Sequence, residues 1–510
     1  ATWDGGPTLV THVEFQNDDV IPSSRVDTPD ASASNPDSEH STHVSGTIIA
    51  KGVSPNAKGM APKATLTSYD WDFDDQEALI QATTNGLLLS NHSYGVPTQT
   101  NATLNWMMGC YNTEARTWDD VAYNAPNYLQ VVSAGNDGLT TYTGGLANNY
   151  DKLVGNKNSK NNLVVANAQT TVINPDGSGN LLSLFINSGS SQGPTDDGRV
   201  KPDITGRGTN VYSAVDATNN SYNTFSGTSM SAPNVTGTLL LLQQYYNQLN
   251  SQYMRASTLK GLACHTVDDD SQSPGPDPIY GWGLLNAKRA AETINADLAG
   301  TALIKEVTIN QGETHTIEFT ASSSSKLSAT LCWTDPPGFA TTTLNSPISR
   351  LINDLDLRIT NSTNTYFPWK LDIANVQAWA TTGDNLVDTV EKIDITNPTS
   401  GSYTLTVSHK GTLTNGSQTF SIILTGANLT LGIDDQDALN DFVLWPNPVN
   451  DELNFKYNSV NSYNSKVTLV DIQGRTVFSN VIIPEGQTIT GNINTSEFSS
   501  GIYILNIEQG

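Results

Sequence analysis

The chain is short of three things: cysteine, basic residues and long apolar stretches. Its 510 residues include three cysteines, Cys110, Cys264 and Cys332. At most one internal disulfide can form and at least one thiol stays free, so no disulfide framework carries the fold. Cysteine usage therefore assigns no compartment. Lys and Arg number 25 against 50 Asp and Glu, a formal net charge of −25. Nucleic acid requires a basic footprint that this balance does not supply, which excludes it as a partner, whereas solubility and cation binding are favoured. No run of 18 or more apolar residues occurs, so no segment has the length and apolarity of a membrane-spanning helix. Internal repeats and low-complexity tracts are missing as well. What remains is a composition of 37% hydrophobic and 8% aromatic residues, enough for folded cores, on a length suited to about three domains.

The first part of the chain alternates short apolar runs with amphipathic ones. Strands are expected at Ala64 to Ser68, Leu87 to Asn91, Leu129 to Ser133 and Leu163 to Ala166. Helices are expected at Asp74 to Thr83, Glu114 to Tyr123 and Ala232 to Asn250. That alternation predicts an α/β domain, a parallel sheet flanked by helices, with its site at the carboxyl ends of the strands.

Chemistry-bearing residues fall at such ends. Gly227-Thr228-Ser229-Met230-Ser231-Ala232-Pro233 frames a serine with small residues at the mouth of an apolar helix. Backbone donors and the partial positive charge of the helix N-terminus stand there, where negative charge would develop. Upstream, Glu39-His40-Ser41-Thr42-His43-Val44-Ser45-Gly46 reads as a helix start, with His40 and His43 on one face. A zinc pair is disfavoured, because no Glu stands between them as in His-Glu-x-x-His. Trp3-Asp4-Gly5-Gly6 ends a strand in a Gly turn, and Ser133-Ala134-Gly135-Asn136-Asp137-Gly138 delivers an Asn into a Gly-flanked loop. Asp, His, Asn and Ser make up an acyl-transfer set: His as base to Ser, Asp fixing the imidazole, Asn donating to an oxyanion.

In that order, Asp4, His40, Asn136 and Ser229 with their surrounding strings resemble the subtilisin-like serine peptidases. Gly59-Met60-Ala61-Pro62, Ser90-Asn91-His92-Ser93-Tyr94-Gly95, Gly198-Arg199-Val200-Lys201-Pro202-Asp203 and Tyr280-Gly281-Trp282-Gly283 extend the resemblance over residues 1–297. It implies a secreted serine endopeptidase with Asp4, His40 and Ser229 as triad and Asn136 as oxyanion donor. It also implies that Ser93, Tyr94 and Gly95 face Ser133, Ala134 and Gly135 as backbone rails for an extended substrate. Tyr94 is the one bulky member of the rails and hints at an aromatic contact. Two departures stand out. Ser41 replaces the family's Gly after the His, and only three residues precede Asp4. The second reads as a truncated or processed start without signal peptide or propeptide, leaving Asp4 loosely held. Rival readings are an inactive surface-binding protein that kept the fold, and an esterase or peptide ligase using the same nucleophile.

From about Thr301 the pattern becomes alternating, at Thr314 to Phe319, Lys326 to Trp333, Leu355 to Thr360 and Tyr403 to His409, which predicts an all-β sandwich over residues 298–428. Trp333-Thr334-Asp335-Pro336 and Leu351 to Leu357 resemble the jelly-roll domain that follows some subtilase catalytic domains. Asp354 and Asp356, with Asp335 and Glu391, are candidate calcium ligands through hard oxygens. The plainer alternative has these carboxylates facing solvent or capping turns. Residues 429–441 are polar and acidic, as in a linker. The last block, 442–510, opens Trp445-Pro446-Asn447-Pro448 and closes on Gly501-Ile502-Tyr503. It resembles the C-terminal sorting domain of the type nine secretion system, again a β-sandwich. The partners implied are protein or peptide substrates and the secretion machinery, for a monomer that is secreted or held at the cell surface.

Overall fold

In a computed structural model of the chain, the described residues are 1–32, 36–174, 181–269, 274–323, 326–426, 430–431, 443–458, 465–471, 475–483 and 488–509. The expected linker, 429–441, lies outside them except for residues 430–431.

Eight strands build the first sheet: β1 (Thr2–Asp4), β2 (Val26–Asp27), β3 (Leu66–Asp70), β4 (Leu89–His92), β5 (Leu129–Ser133), β6 (Leu163–Ile173), β7 (Leu181–Ile186) and β8 (Ile204–Arg207). Their order is β2-β3-β1-β4-β5-β6-β7, with β8 also on β6, and every pairing is parallel except β6 with β7. A parallel sheet covered by helices hides both strand faces, and β5 is accordingly buried throughout, its polar Gln130 and Ser133 included. The helices are α1 (Glu39–Ile49), α2 (Asp74–Thr84), α3 (Thr113–Asn124), α4 (Thr228–Asn250), α5 (Ala256–His265) and α6 (Ala287–Leu298).

Helix α4 packs across β4, β5, β6 and β8 through Ala232, Val235, Leu239 and Leu242. It begins at Thr228, four residues before the apolar pattern starts at Ala232. Pro233 is the sixth helical residue, and its missing N–H leaves the Ser229 carbonyl without a helical donor; the Ser93 hydroxyl supplies that hydrogen bond at 3.0 Å, so the proline does not break the helix. The serine is thereby inside the first turn rather than ahead of it.

The expectation that Asp4 is loosely held is overturned. Strand β1 is short but hydrogen-bonded on both sides, to β3 and to β4. Trp3 is buried and stacks between Tyr69, at 4.7 Å, and His92, at 5.4 Å. Its indole N–H donates to Glu77 at 2.9 Å. Two-sided pairing and an aromatic sandwich substitute for strand length.

Residues 303–431 contain two large antiparallel sheets. One runs Leu303–Asn310, Ser417–Thr425, Leu327–Trp333, Val390–Ile395; the other runs Thr365–Tyr366, Asp354–Thr360, Gly401–Lys410, His315–Ala321, Thr430–Leu431. Phe319, Leu355, Leu357 and Leu405 from one sheet meet Leu327, Leu331, Trp333 and Phe420 from the other in a single core, the expected sandwich. This module is fused to the first rather than strung after it. Ile304, Cys332, Val390 and Ile423 share a core with α4 and α5. His265 at the end of α5 is hydrogen-bonded between Thr330 and Thr425, both at 2.8 Å. Residues Ala1–Leu431 are accordingly one compact unit and Gly432–Gly510 a second. The second unit contains two three-stranded antiparallel sheets around Leu453, Phe455, Val467, Ile489 and Ile493.

Candidate active site

Strand β1 ends on Asp4, which is 2% exposed and accepts a hydrogen bond from the Gly5 N–H at 2.8 Å. Helix α1 is capped by Ser38, whose hydroxyl accepts from the Ser41 N–H at 3.2 Å, placing His40 in the first turn. The His40 Nδ1 stands 2.9 Å from both Asp4 carboxylate oxygens. A carboxylate there holds the proton on Nδ1 and leaves Nε2 as the acceptor. Burial disfavours the imidazolium, but the hydrogen bond and charge of Asp4 outweigh it, so the His40 pKa is raised above the ordinary 6.5.

Ser41 is accommodated without crowding. Its hydroxyl joins a buried cluster centred on Thr8 Oγ1, which lies 3.1 Å from Ser41, 2.7 Å from Ser45 and 2.9 Å from Ser68. His43 turns the other way, with Nε2 at 3.0 Å from the Val211 carbonyl and its ring on Phe225. Burial pulls its pKa down to about 4, a neutral packing histidine.

Ser229 is the second residue of α4. Its Oγ donates to the Ser93 carbonyl at 3.1 Å, and the Ser93 hydroxyl donates back to the Ser229 carbonyl at 3.0 Å. The hydroxyl is thus parked on the end of β4 and makes no hydrogen bond to His40. In the loop after β5, Asn136 Oδ1 accepts from the Thr228 N–H at 2.9 Å and from the Thr228 hydroxyl at 3.1 Å. With the oxygen engaged, the amide Nδ2 is the group left to donate, beside the first turn of α4.

The two rails leave the ends of β4 and β5. Ser93 is tied to Ser229 as above, and Gly135 donates its N–H to Thr228 Oγ1 at 3.1 Å. Ser133 and Ala134 are buried. Tyr94 lends only its backbone, contrary to the expected aromatic contact. Its hydroxyl donates to Asp74 at the start of α2 and accepts from His92 Nδ1, 2.6 Å away. Buried phenols need such partners, and here they draw the ring inward from the rail. Lys157, on a short turn at Gly155–Asn158, is 3% exposed and donates to the Tyr94 carbonyl at 3.1 Å. Sequence reading missed it because a lysine in an Asn-rich loop carries no signal of burial.

Each of the four candidate calcium ligands is engaged by protein donors. Asp335 accepts from Lys160 Nζ at 2.6 Å and from the Ile352 and Asn353 N–H groups at 2.9 and 2.8 Å. Asp356 accepts from Arg358 at 2.9 Å and Lys410 at 2.7 Å, and Asp354 lies 3.6 Å from Lys410. Glu391 accepts from the Leu357 N–H at 2.6 Å. Among the described residues no group of three His, Cys, Asp or Glu is arranged to hold a metal ion. The Asp-x-Asp pattern showed the carboxylates but not the lysine and arginine that the neighbouring strand positions bring to them.

Comparison with known proteins gives two family matches, one described as "Subtilase family" over residues 7–283 and one as "Secretion system C-terminal sorting domain" over residues 443–510. A C5a peptidase of Streptococcus pyogenes serotype M3 is 36% identical over 145 residues, covering 26% of this chain and 12% of that protein. The Serine protease/ABC transporter B family protein tagA of Dictyostelium discoideum is 28% identical over 212 residues, 35% of this chain and 11% of its own. These matches span about an eighth of the curated relatives' length. Among solved structures, the Patellamide maturation protease PatA aligns at 20% identity and TM-score 0.41, covering 58% of this chain and 96% of that one.

Proposed function

The chain belongs to the subtilase family of peptidases, and from that premise we propose a secreted serine endopeptidase working through an acyl-enzyme on Ser229. His40 Nε2 takes the proton of Ser229 Oγ as that oxygen attacks the scissile carbonyl carbon. Asp4 keeps the other imidazole proton on Nδ1 and stabilises the cation that forms. Asn136 Nδ2 and the Ser229 N–H, at the positive end of α4, donate to the tetrahedral oxyanion. Collapse passes the His40 proton to the leaving amine, and water repeats the sequence to release the acid. Attack requires Ser229 Oγ to exchange the Ser93 carbonyl for His40, a rotamer change that substrate entry on the rails would drive. The sorting domain at residues 443–510 makes the chain a secreted or cell-surface protein and implies the secretion machinery as a partner.

The observation that carries the reading is the buried Asp4 carboxylate closing on His40 Nδ1 with both oxygens at 2.9 Å. An acid so placed in a sheet end holds the imidazole in the tautomer and orientation that a general base requires. A fluorophosphonate tests it: one equivalent is expected to label the protein on Ser229, by peptide mapping, with loss of casein hydrolysis. Labelling elsewhere, or none, sinks the assignment. Faster turnover of a short ester than of casein would favour an esterase. Asn136→Leu is expected to lower kcat by about 100- to 1000-fold with KM little changed, the scale measured for the oxyanion asparagine of a subtilisin; initial-rate kinetics check it.

A further inference from the structure

Lys157 poses a problem that the catalytic reading does not use. A buried ammonium is costly unless it is paired. Lys160 has Asp335, and Lys201 and Lys260 share Asp203. Lys157 has no carboxylate within ion-pair distance among the described residues, and its one hydrogen bond goes to the Tyr94 carbonyl. An ammonium carries three N–H groups, so two are left over. Lys152 and Lys392 also lack carboxylates and bond to carbonyls, but those lie at Gly138 and at Cys264 and His265.

Lys157 differs from them in its place between the substrate rails. A Cβ added at Gly95 would stand 2.0 Å from its Nζ, and one at Gly135 would stand 3.8 Å from its Cε. Both glycines have positive φ, 146° and 108°, a conformation that side chains disfavour. The absence of a side chain at Gly95 and at Gly135 leaves the lysine at the floor of the gap between the rails. Its acidic neighbours are engaged elsewhere. Glu114 on α3 accepts from the Asn156 N–H at 3.1 Å, and Asp137 after β5 accepts from the Thr98 N–H at 2.7 Å.

We propose that the peptidase cleaves after acidic residues, with Lys157 as the cationic floor of the pocket that receives the Glu or Asp side chain preceding the scissile bond. The idea rests on the peptidase reading above and narrows its substrate class. A substrate carboxylate would complete the pairing that the fold leaves open, and an apolar or cationic side chain would leave the buried ammonium with no carboxylate in direct contact. Charge also bears on pH. Burial lowers the Lys157 pKa to about 8 against the upward pull of Glu114 and Asp137. His92 on β4, another titratable neighbour, is held neutral by its burial. Raising pH through about 8 removes the ammonium from the free enzyme and, with it, the preference.

The test uses the full chain and internally quenched peptides that differ only before the scissile bond: Glu, Gln, Asp, Asn, Phe and Lys. A charge-assisted hydrogen bond predicts kcat/KM about 10- to 100-fold higher for Glu than for Gln, or for Asp than for Asn. Which acid wins reports the depth of the pocket. The ratio is expected to shrink above pH 8 and to fall to near one in Lys157→Met. Equal cleavage of the acid and its amide overturns the proposal, as does a preference that survives Lys157→Met. Should that variant fail to fold, the wild-type ratio and its pH dependence decide. A protein that fluorophosphonate labels but that cleaves no acidic member loses this proposal alone. One that neither labels nor cleaves loses the peptidase reading too.

Discussion

Replacing Ser229 by alanine is expected to lower kcat about a million-fold, and removing His40 in the same chain is expected to lower it little further, as measured for the same pair in a subtilisin. In the proposed mechanism the two act as one unit: without the hydroxyl the base has no proton to take, and without the base the hydroxyl is a weak nucleophile. Asp4→Asn should cost less, roughly ten-thousand-fold, because an amide at this site holds the imidazole in the wrong tautomer while leaving nucleophile and base present. The pH profile separates this role from a structural one. Catalysis needs His40 neutral, and Asp4 raises its pKa, so the acidic limb of kcat/KM is expected above the ordinary histidine value. In Asp4→Asn only the burial effect, which lowers the pKa, remains, so the limb should move to lower pH. A limb that stays where it was would mean that Asp4 only supports the end of β1. Single-turnover acylation of a p-nitrophenyl ester, followed with pH, reads both effects.

Much of the candidate site was legible in the sequence because each group sits where a local pattern changes. Asp4, Asn136 and Ser229 each lie where an apolar run meets small residues, and in a parallel sheet such ends converge on one edge. Helix α4 was expected from Ala232 and begins at Thr228, since hydrophobic periodicity marks the packed part of a helix and not its first turn. The stability of Asp4 was misjudged because strand length is visible in sequence, whereas Trp3 lying between Tyr69 and His92 is not. Tyr94 was misjudged for a related reason, its partners Asp74 and His92 being fixed by the packing of α2 on the sheet edge. The lysines were the largest omission. Lys157, Lys160, Lys201 and Lys260 are all buried, and in an acidic chain nothing in composition separates a buried lysine from a surface one.

Lys160→Met is expected to destabilise residues 1–431 by about 3–5 kcal/mol, because it strips the cation from a buried charge network. The Lys160 side chain is fully buried, and Nζ donates to Asp335 at 2.6 Å and to the Pro336 and Arg350 carbonyls at 2.6 and 3.0 Å, with Asp119 at 3.7 Å. Asp119 keeps the Tyr111 hydroxyl and the Lys160 and Asn161 N–H groups, so it stays largely solvated by the fold. Asp335 loses the one cation paired with it among the described residues. The lysine ties the peptidase domain to the loop that joins the sandwich strands Leu327–Trp333 and Asp354–Thr360, and loosening it should loosen both, since α5 already merges their cores. Urea unfolding of the 1–431 unit is therefore expected to remain a single transition with a lower midpoint in the variant. Adding Asp335→Leu to Lys160→Met should restore part of the loss and not all of it: the stranded charge is removed, but the Ile352 and Asn353 N–H groups lose their acceptor. Two separated transitions in the single variant would mean that the sandwich and the peptidase sheet stand on independent cores. A midpoint equal to the parent's would mean that the network contributes nothing beyond what packed methylenes supply.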